Sequence, residues 1–128
     1  MIEGLFQGSN YATSKALLDM TAARHEVLAG NIANVHTPGY KRIDVTETFM
    51  DQLKTAIAKQ DVPELLDFKK IDLAEAHGFE AQDSSGNNVN LEQEMMFLSE
   101  NSFAYQMNAQ LVSSSLRRLE TAITGRTS

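Results

Sequence analysis

The sequence predicts a mainly α-helical fold in which long N- and C-terminal helices form an antiparallel coiled coil beside an irregular, extended acidic middle. Three observations support this: a heptad pattern near the C-terminus, a second helical pattern that ends at a Pro-Gly turn, and acidic residues concentrated between them. We expect residues 1–40 to form a helix and a corner, 41–89 a short middle region, and 90–128 the heptad helix. The two ends are expected to form one helical domain.

The N-terminal helix is expected to run from about Asn10 to Asn34, with Ser9 or Asn10 as its N-cap. One of its faces is a strip of aliphatic side chains: Leu17, Leu18, Leu28, Ile32 and Val35. The neighbouring strip consists mostly of alanine and other small side chains. Because small side chains allow a second helix to approach closely, the pattern indicates packing on two sides.

A corner is predicted where this helix ends, in the stretch NIANVHTPGY. Pro38 disfavours helical backbone at Thr37, and Pro38 with Gly39 suits the two central positions of a type II turn. Tyr40 is expected to anchor the chain as it leaves the turn. The corner motif therefore consists of Asn31, Ile32, Ala33, Asn34, Thr37, Pro38, Gly39 and Tyr40.

The middle region carries most of the net charge of −6, and the two ends are nearly neutral. This distribution suits ends that pack and a middle that faces water. Thr48 with Asp51 is expected to start a short helix that runs to about Lys59. No sustained period follows Pro63, so we expect residues 61–90 to be extended or loop, with a short hairpin as an open alternative and with order that depends on partners.

The C-terminal helix is predicted by residues spaced alternately four and three apart: Leu91, Met95, Leu98, Ser102, Tyr105, Ala109, Val112, Leu116, Leu119 and Ile123. This spacing is typical of a coiled-coil seam. Asn90 is expected to cap the helix, and Gly125 to end it. A second stripe consists of Met96, Phe103, Met107 and Leu111. The apolar surface is thus wider than a two-stranded coil requires, and either a third helix of the same chain or neighbouring subunits would cover it.

No recognised catalytic or metal-binding motif is present in the sequence. The three histidines lack the spacing of metal ligands, and the serines and glycines form neither a nucleophile elbow nor a phosphate loop. The acidic balance argues against nucleic-acid binding. No segment is long enough to cross a bilayer, and the first residues lack the apolar run of a cleaved signal peptide. We therefore expect no enzyme activity, no cofactor, no metal, no nucleic-acid partner and no membrane span.

Individual charged residues have ordinary interpretations. The pair Lys41 and Arg42 is expected to be solvated or to face a helix dipole. Glu92 and Glu94 lie at the start of the C-terminal helix, where the dipole favours negative charge, so a capping role is expected for them.

Two stretches and the acidic middle between them resemble the bacterial flagellar axial proteins. The stretches are RHEVLAGNIANVHTPGYKRIDV at residues 24–45 and NNVNLEQEMMFLSENSFAYQMNAQLVSSSLRRLETAI at residues 87–123. Hook and distal-rod relatives carry much longer middle domains, so the short middle favours a proximal-rod subunit. The first stretch is more similar to the FlgB type than to the other short proximal-rod type.

The resemblance implies a structural subunit whose terminal helices polymerise into the hollow drive shaft that connects the membrane ring to the distal rod and hook. It implies export from the cytoplasm through the flagellar type III apparatus, without a cleaved signal peptide, to the periplasmic rod of the basal body. The implied partners are copies of the chain, other proximal and distal rod proteins, the rod-to-ring adaptor, the membrane-ring protein and the flagellar export gate.

Helix packing and assembly are assigned to Leu17, Leu28, Ile32, Leu98, Tyr105, Val112, Leu116 and Leu119. The alternative function is that of a cytoplasmic helical adaptor or chaperone of a secretion system. Such a protein would share the heptads, but it gives no reason for the Thr-Pro-Gly corner.

Overall fold

The computed structural model describes residues 2–59, 71–76, 78–81 and 84–125. Its elements in chain order are α1 (Ile2–Ala33), β1 (Ile43–Val45), α2 (Glu47–Ala58), β2 (Leu73–Glu75) and α3 (Leu91–Thr124). The prediction of a mainly helical fold with a long C-terminal helix is confirmed. The prediction for residues 61–90 lies partly outside the described residues.

The start of α1 differs from the prediction. The helix begins at Ile2, so Ser9 and Asn10 lie inside it and do not cap it. The early segment contains no proline, and once a helix has been nucleated each further residue adds a hydrogen bond at little cost. The modest helix propensities of serine and asparagine are therefore insufficient to stop it.

The ends of α3 agree with the prediction. The Asn90 side chain accepts a hydrogen bond from the backbone N–H of Gln93 at 3.2 Å, which satisfies one of the free donors of the first turn. Gly125 ends the helix with a left-handed φ of 67°, a conformation that glycine adopts without a steric penalty.

The short helix in the middle begins two residues earlier than predicted. Thr46 is the N-cap of α2 and accepts from the backbone N–H of Phe49 at 3.2 Å. Its hydroxyl also donates to the carboxylate of Asp72 at 3.1 Å, across the small sheet. Thr48 fits a cap equally well by sequence, but the Asp72 contact selects Thr46.

The middle also contains a two-stranded antiparallel sheet. Ile43 of β1 pairs with Glu75 of β2, and Val45 pairs with Leu73. The strands are not joined by a tight turn, because α2 and the following segment lie between them in the chain.

α1 packs on two sides, as its sequence predicts. On one side α3 lies alongside it in the opposite direction, since Asn101 contacts Thr21 while Glu94 contacts Asn31 near the end of α1. On another side, small residues of α1 meet larger side chains of the middle region. This buried apolar cluster comprises Ala16, Met20, Ala23, Phe49, Leu53 and Ile71.

The face of α3 that α1 covers is not the predicted heptad seam. The buried residues of α3 are Glu94, Asn101 and Ser115, and all of them are polar. Leu98, Val112 and Leu119 of the seam are half-buried beside them. Tyr105 and Leu116 of the seam are exposed. The heptad count identified an apolar surface, but it carries no information on which polar side chains make hydrogen bonds to the neighbouring helix.

Candidate functional site

The corner after α1 has the backbone geometry that its sequence predicts. The carbonyl of Thr37 accepts from the backbone N–H of Tyr40 at 3.2 Å, and Gly39 has a φ of 73°. These two features are those of a type II turn with proline and glycine at its centre. The Asn34 amide donates locally to the carbonyl of Gly30 at 2.8 Å, as expected for the end of a helix.

A distant asparagine completes the end of α1. The side-chain amide of Asn87 lies within hydrogen-bonding distance of three carbonyl oxygens, those of Asn34 at 2.9 Å, Val35 at 3.1 Å and Thr37 at 2.8 Å. These carbonyls follow Ala33, the last residue of α1, and those of Asn34 and Thr37 also accept from backbone N–H groups of the turn. Asn87 therefore caps the turn that follows α1, from the segment just before α3.

Asn31 makes long-range hydrogen bonds, whereas asparagine at a helix end commonly bonds to nearby backbone groups. It is fully buried, and its amide donates to the carbonyl of Ile43 at 2.8 Å and to a carboxylate oxygen of Glu94 at 3.2 Å. Its oxygen accepts from the Tyr40 hydroxyl and from the backbone N–H of Ile43, both at 3.0 Å. This one side chain thereby joins α1, the turn, β1 and α3.

Arg42 and Glu94 form a buried ion pair at the centre of the site. Arg42 is 2% exposed and Glu94 is 1% exposed, and the guanidinium Nε donates to Glu94 Oε1 at 2.5 Å. The guanidinium also lies over two aromatic rings, 4.3 Å from the centroid of Phe79 and 5.2 Å from that of Phe97. The expectation of a solvated Arg42 and a capping Glu94 is therefore wrong. Mutual pairing and the ring contacts offset the cost of removing both charges from water.

Asp44 extends the ion pair to α1. Its carboxylate accepts from the Nε and a terminal nitrogen of Arg24, at 2.9 and 3.1 Å, and from Arg42 at 3.0 Å. Burial acts to raise the pKa of Asp44, but the hydrogen bond and charge of Arg24, with hydrogen bonds from the Val45 N–H and from Arg42, outweigh it and leave that pKa below its usual value. Burial likewise acts to lower the pKa of Arg42, and Glu94 and Asp44 outweigh it, so the guanidinium stays charged.

One contact from the segment before α3 and one from the turn complete this network. The side-chain oxygen of Asn88 accepts from the backbone N–H of Arg42 at 2.7 Å. Burial and the nearby Glu94 charge raise the pKa of Tyr40, which keeps its hydroxyl protonated as a donor to Asn31. We call the whole set the corner cluster: Arg24, Asn31, Tyr40, Arg42, Asp44, Asn87, Asn88 and Glu94.

The corner cluster is suited to holding segments of the chain together. Its polar groups bind one another, and among the described residues no buried side-chain nitrogen or oxygen lacks a partner. Within the same ranges, no three histidine, cysteine or acidic side chains converge as a metal site would require. Such a saturated network fixes the position of β1 and of the start of α3 relative to the end of α1.

The assembly residues predicted from the sequence have different environments. Leu28 is fully buried. Leu17, Ile32, Leu98, Val112 and Leu119 are half-buried. The exposed large apolar side chains of α3 are Leu91, Met95, Met96, Phe103, Tyr105, Met107, Leu111, Leu116 and Ile123. The structure thus leaves most of the apolar surface of α3 facing solvent.

Comparison with known proteins identifies the family. Residues 84–124 match the family model described as the flagellar basal body rod FlgEFG protein C-terminal region. The chain is 31% identical over 125 residues to the flagellar basal body rod protein FlgB of Aquifex aeolicus, covering 95% of this chain and 97% of the relative. The chain belongs to the FlgB family of flagellar basal body rod proteins.

Other FlgB proteins support the same assignment. The Bacillus subtilis protein is 26% identical over 134 residues, with 98% of this chain and 97% of the relative covered. The Salmonella typhimurium protein is 29% identical over 125 residues, with 84% and 88% covered. This member of the FlgB family is therefore a structural component of the flagellar basal body rod. In the described part of its chain, no helix has the length and apolar character needed to span a membrane.

Proposed function

We propose that this chain is a subunit of the proximal rod, where it polymerises through its terminal helices into the hollow drive shaft that connects the membrane ring to the distal rod and hook. Membership of the FlgB family supports a place in the rod. The arrangement of apolar and polar side chains on α3 supports the polymerisation.

The proposal rests on how polar and apolar side chains are distributed around α3, which is the reverse of an ordinary amphipathic helix. Its face toward α1 is polar, with Glu94, Asn101 and Ser115 buried, whereas Phe103 is 65% exposed and Ile123 is 83% exposed. At roughly 100 Å² for each exposed apolar side chain, the exposed apolar side chains of α3 together present about 900 Å² of apolar surface, where isolated exposed apolar residues alone would need no partner. Covering that surface is worth roughly 20 kcal/mol before the cost of association.

The terminal helices are proposed to pack as an antiparallel coiled coil within each subunit. The amide of Asn101 donates to the Thr21 carbonyl at 2.7 Å, and Asn31 reaches Glu94 about two to three helical turns closer to the corner. These polar contacts hold α3 against α1 while most of its large apolar side chains face outward. The residues proposed for packing and assembly are Leu17, Leu28, Ile32, Leu98, Tyr105, Val112, Leu116 and Leu119.

The corner is proposed to set the direction in which the chain leaves the helical domain. The motif Asn31, Ile32, Ala33, Asn34, Thr37, Pro38, Gly39 and Tyr40 ends α1 and turns the chain into β1. Asn87 and the buried ion pair then fix that turn against the start of α3. A fixed turn suits a shaft under torque, because relative motion of its segments would break several hydrogen bonds together.

Export through the flagellar type III apparatus, without a cleaved signal peptide, is proposed to bring the subunit to the periplasmic rod. The proposed partners are copies of the chain, other proximal and distal rod proteins, the rod-to-ring adaptor, the membrane-ring protein and the export gate. These partners follow from the rod position and not from any particular contact.

Sedimentation of the purified subunit over a range of concentrations, followed by electron microscopy of the pellet, tests the proposal. We expect open-ended polymers above a threshold concentration. A matched variant with Phe103→Ser and Leu116→Ser should stay monomeric and keep its helical circular dichroism. A monomer at every concentration, or a closed complex of fixed stoichiometry as an adaptor would form, would contradict the proposal.

A further inference from the structure

The exposed apolar residues of α3 form two separate faces. The heptad face consists of Leu91, Met95, Tyr105, Leu116 and Ile123, and the Met/Phe face consists of Met96, Phe103, Met107 and Leu111. At about 100° per residue, the mean directions of the two faces differ by roughly 165° around the helix axis. The polar face held by α1 lies between them on one side. A single α3 can therefore contact two further helices at the same time.

We propose that the heptad face of one copy binds the Met/Phe face of the α3 helix of the next copy, so that α3 helices lie side by side in parallel. This inference rests on the proposed polymerisation and names the surfaces that meet. A two-fold dimer would join one patch to the same patch of its partner, which leaves the other face exposed. A contact between two different faces covers both and repeats without closing after two copies.

The area is sufficient for such a contact. Complete burial of the heptad face of one copy against the Met/Phe face of another would remove at most roughly 900 Å² of apolar surface from water. With the surrounding polar rim, this reaches the approximately 1,000 Å² that a specific interface requires. Methionine and phenylalanine are among the residues enriched in such interfaces.

Charge selects the parallel direction and the register. Arg118 lies on the side of α3 that carries the Met/Phe face, and Glu120 lies on the side that carries the heptad face. The two residues are separated by about 3 Å along the axis. Parallel helices with almost no axial shift therefore place Arg118 of one copy opposite Glu120 of the next. In the same register Glu100, on the Met/Phe side, meets the neutral Ser102, so no like charges oppose each other.

Complementation between two variants tests the pairing. Phe103→Glu blocks the Met/Phe face, and Leu116→Glu blocks the heptad face. Both residues are exposed, so each variant should keep its helical circular dichroism, and Ser99→Glu, between the two faces on the exposed side, is the matched control. We expect each variant alone to be monomeric by analytical ultracentrifugation, the control to polymerise, and an equimolar mixture of the two variants to form a 1:1 heterodimer that grows no further.

Other outcomes would overturn the inference. A homodimer of either variant would mean that like faces pair, and a mixture without heterodimer would mean that the two faces do not meet. If the unmodified chain never polymerises, both the proposed function and this inference fail. If the unmodified chain polymerises but the two variants do not complement each other, only this inference fails.

Charge reversal tests the register separately. Arg118→Glu and Glu120→Arg should each raise the threshold concentration for polymerisation about two- to fivefold, the range expected for an exposed ion pair. Together they should restore it. Additive effects in the double variant would overturn the parallel register.

Discussion

Replacing Glu94 by glutamine removes the negative charge that faces the buried Arg42 guanidinium, while the shape of the side chain is kept. Arg42 is 2% exposed, so water cannot replace the lost carboxylate. Breaking a buried ion pair by removing one partner typically costs about 3–5 kcal/mol. Arg42 keeps Asp44 at 3.0 Å and its contacts with two aromatic rings, which places the expected loss near the lower end, about 3 kcal/mol.

Urea unfolding followed by circular dichroism measures this loss directly, and the chain contains no tryptophan to serve as a fluorescent probe. Glu92→Gln is the matched control, because Glu92 lies in the same first turn of α3 but is exposed. Its substitution should change the free energy of unfolding by less than about 0.5 kcal/mol. Equal effects of the two substitutions would refute the assignment of the buried pair as a principal contact of the corner.

A double variant separates the pair from its surroundings. Arg42→Met with Glu94→Leu removes both charges and leaves apolar side chains of similar size. Such replacements are often neutral, so the double variant should be more stable than Glu94→Gln. If the double variant loses as much unfolding free energy as Arg42→Met and Glu94→Leu lose in sum when made singly, the two residues act independently.

Three further predictions concern the corner. The folded pKa of Asp44 is lowered, so its contribution to stability is present above the unfolded pKa of about 3.9 and is lost as pH falls through the lower folded pKa. Asp44→Asn should therefore flatten the dependence of the unfolding free energy on pH below about 4. An unchanged slope would contradict this role of Asp44. Asn87→Ala should lower the free energy of unfolding by about 1–3 kcal/mol and speed hydrogen exchange near Val35, because three carbonyls lose a donor. Unchanged hydrogen exchange near Val35 would refute the capping role. Pro38→Ala with Gly39→Ala should abolish motility in a complemented deletion strain while expression stays near normal, and normal rods would contradict the role of the turn.

Local patterns were sufficient to predict that the helices and the turn exist, although α1 and α2 begin earlier than predicted. Asn90 and Gly125 were recognisable as the ends of α3 because capping depends on residues within one turn. The Pro38–Gly39 turn was equally readable, since proline fixes one backbone angle and glycine permits a positive one. The N-cap of α2 was less readable, because Thr46 caps the helix in place of Thr48 and also bonds to Asp72, a partner that the local pattern does not show.

The corner cluster was not readable from local patterns. Arg42 and Glu94 are 52 positions apart, and each has the ordinary sequence environment of a solvated charge. Asn87 reaches carbonyls 50 to 53 positions away. The run Asn87-Asn88-Val89-Asn90 was a detectable signal, because closely spaced asparagines suit several backbone contacts, but nothing in it specifies which backbone they bind. The heptad count failed in a related way, since it gave the apolar seam of α3 without the direction from which α1 approaches.

The contact between Asn31 and Glu94 spans 63 positions of the chain. We expect a contact that closes so large a loop to form late in folding, because the chain loses the entropy of the loop before the contact stabilises it. In the proposed export of an unfolded chain, this contact can form only after both of its residues have left the channel. The corner would then assemble only once the whole segment between residues 31 and 94 has crossed.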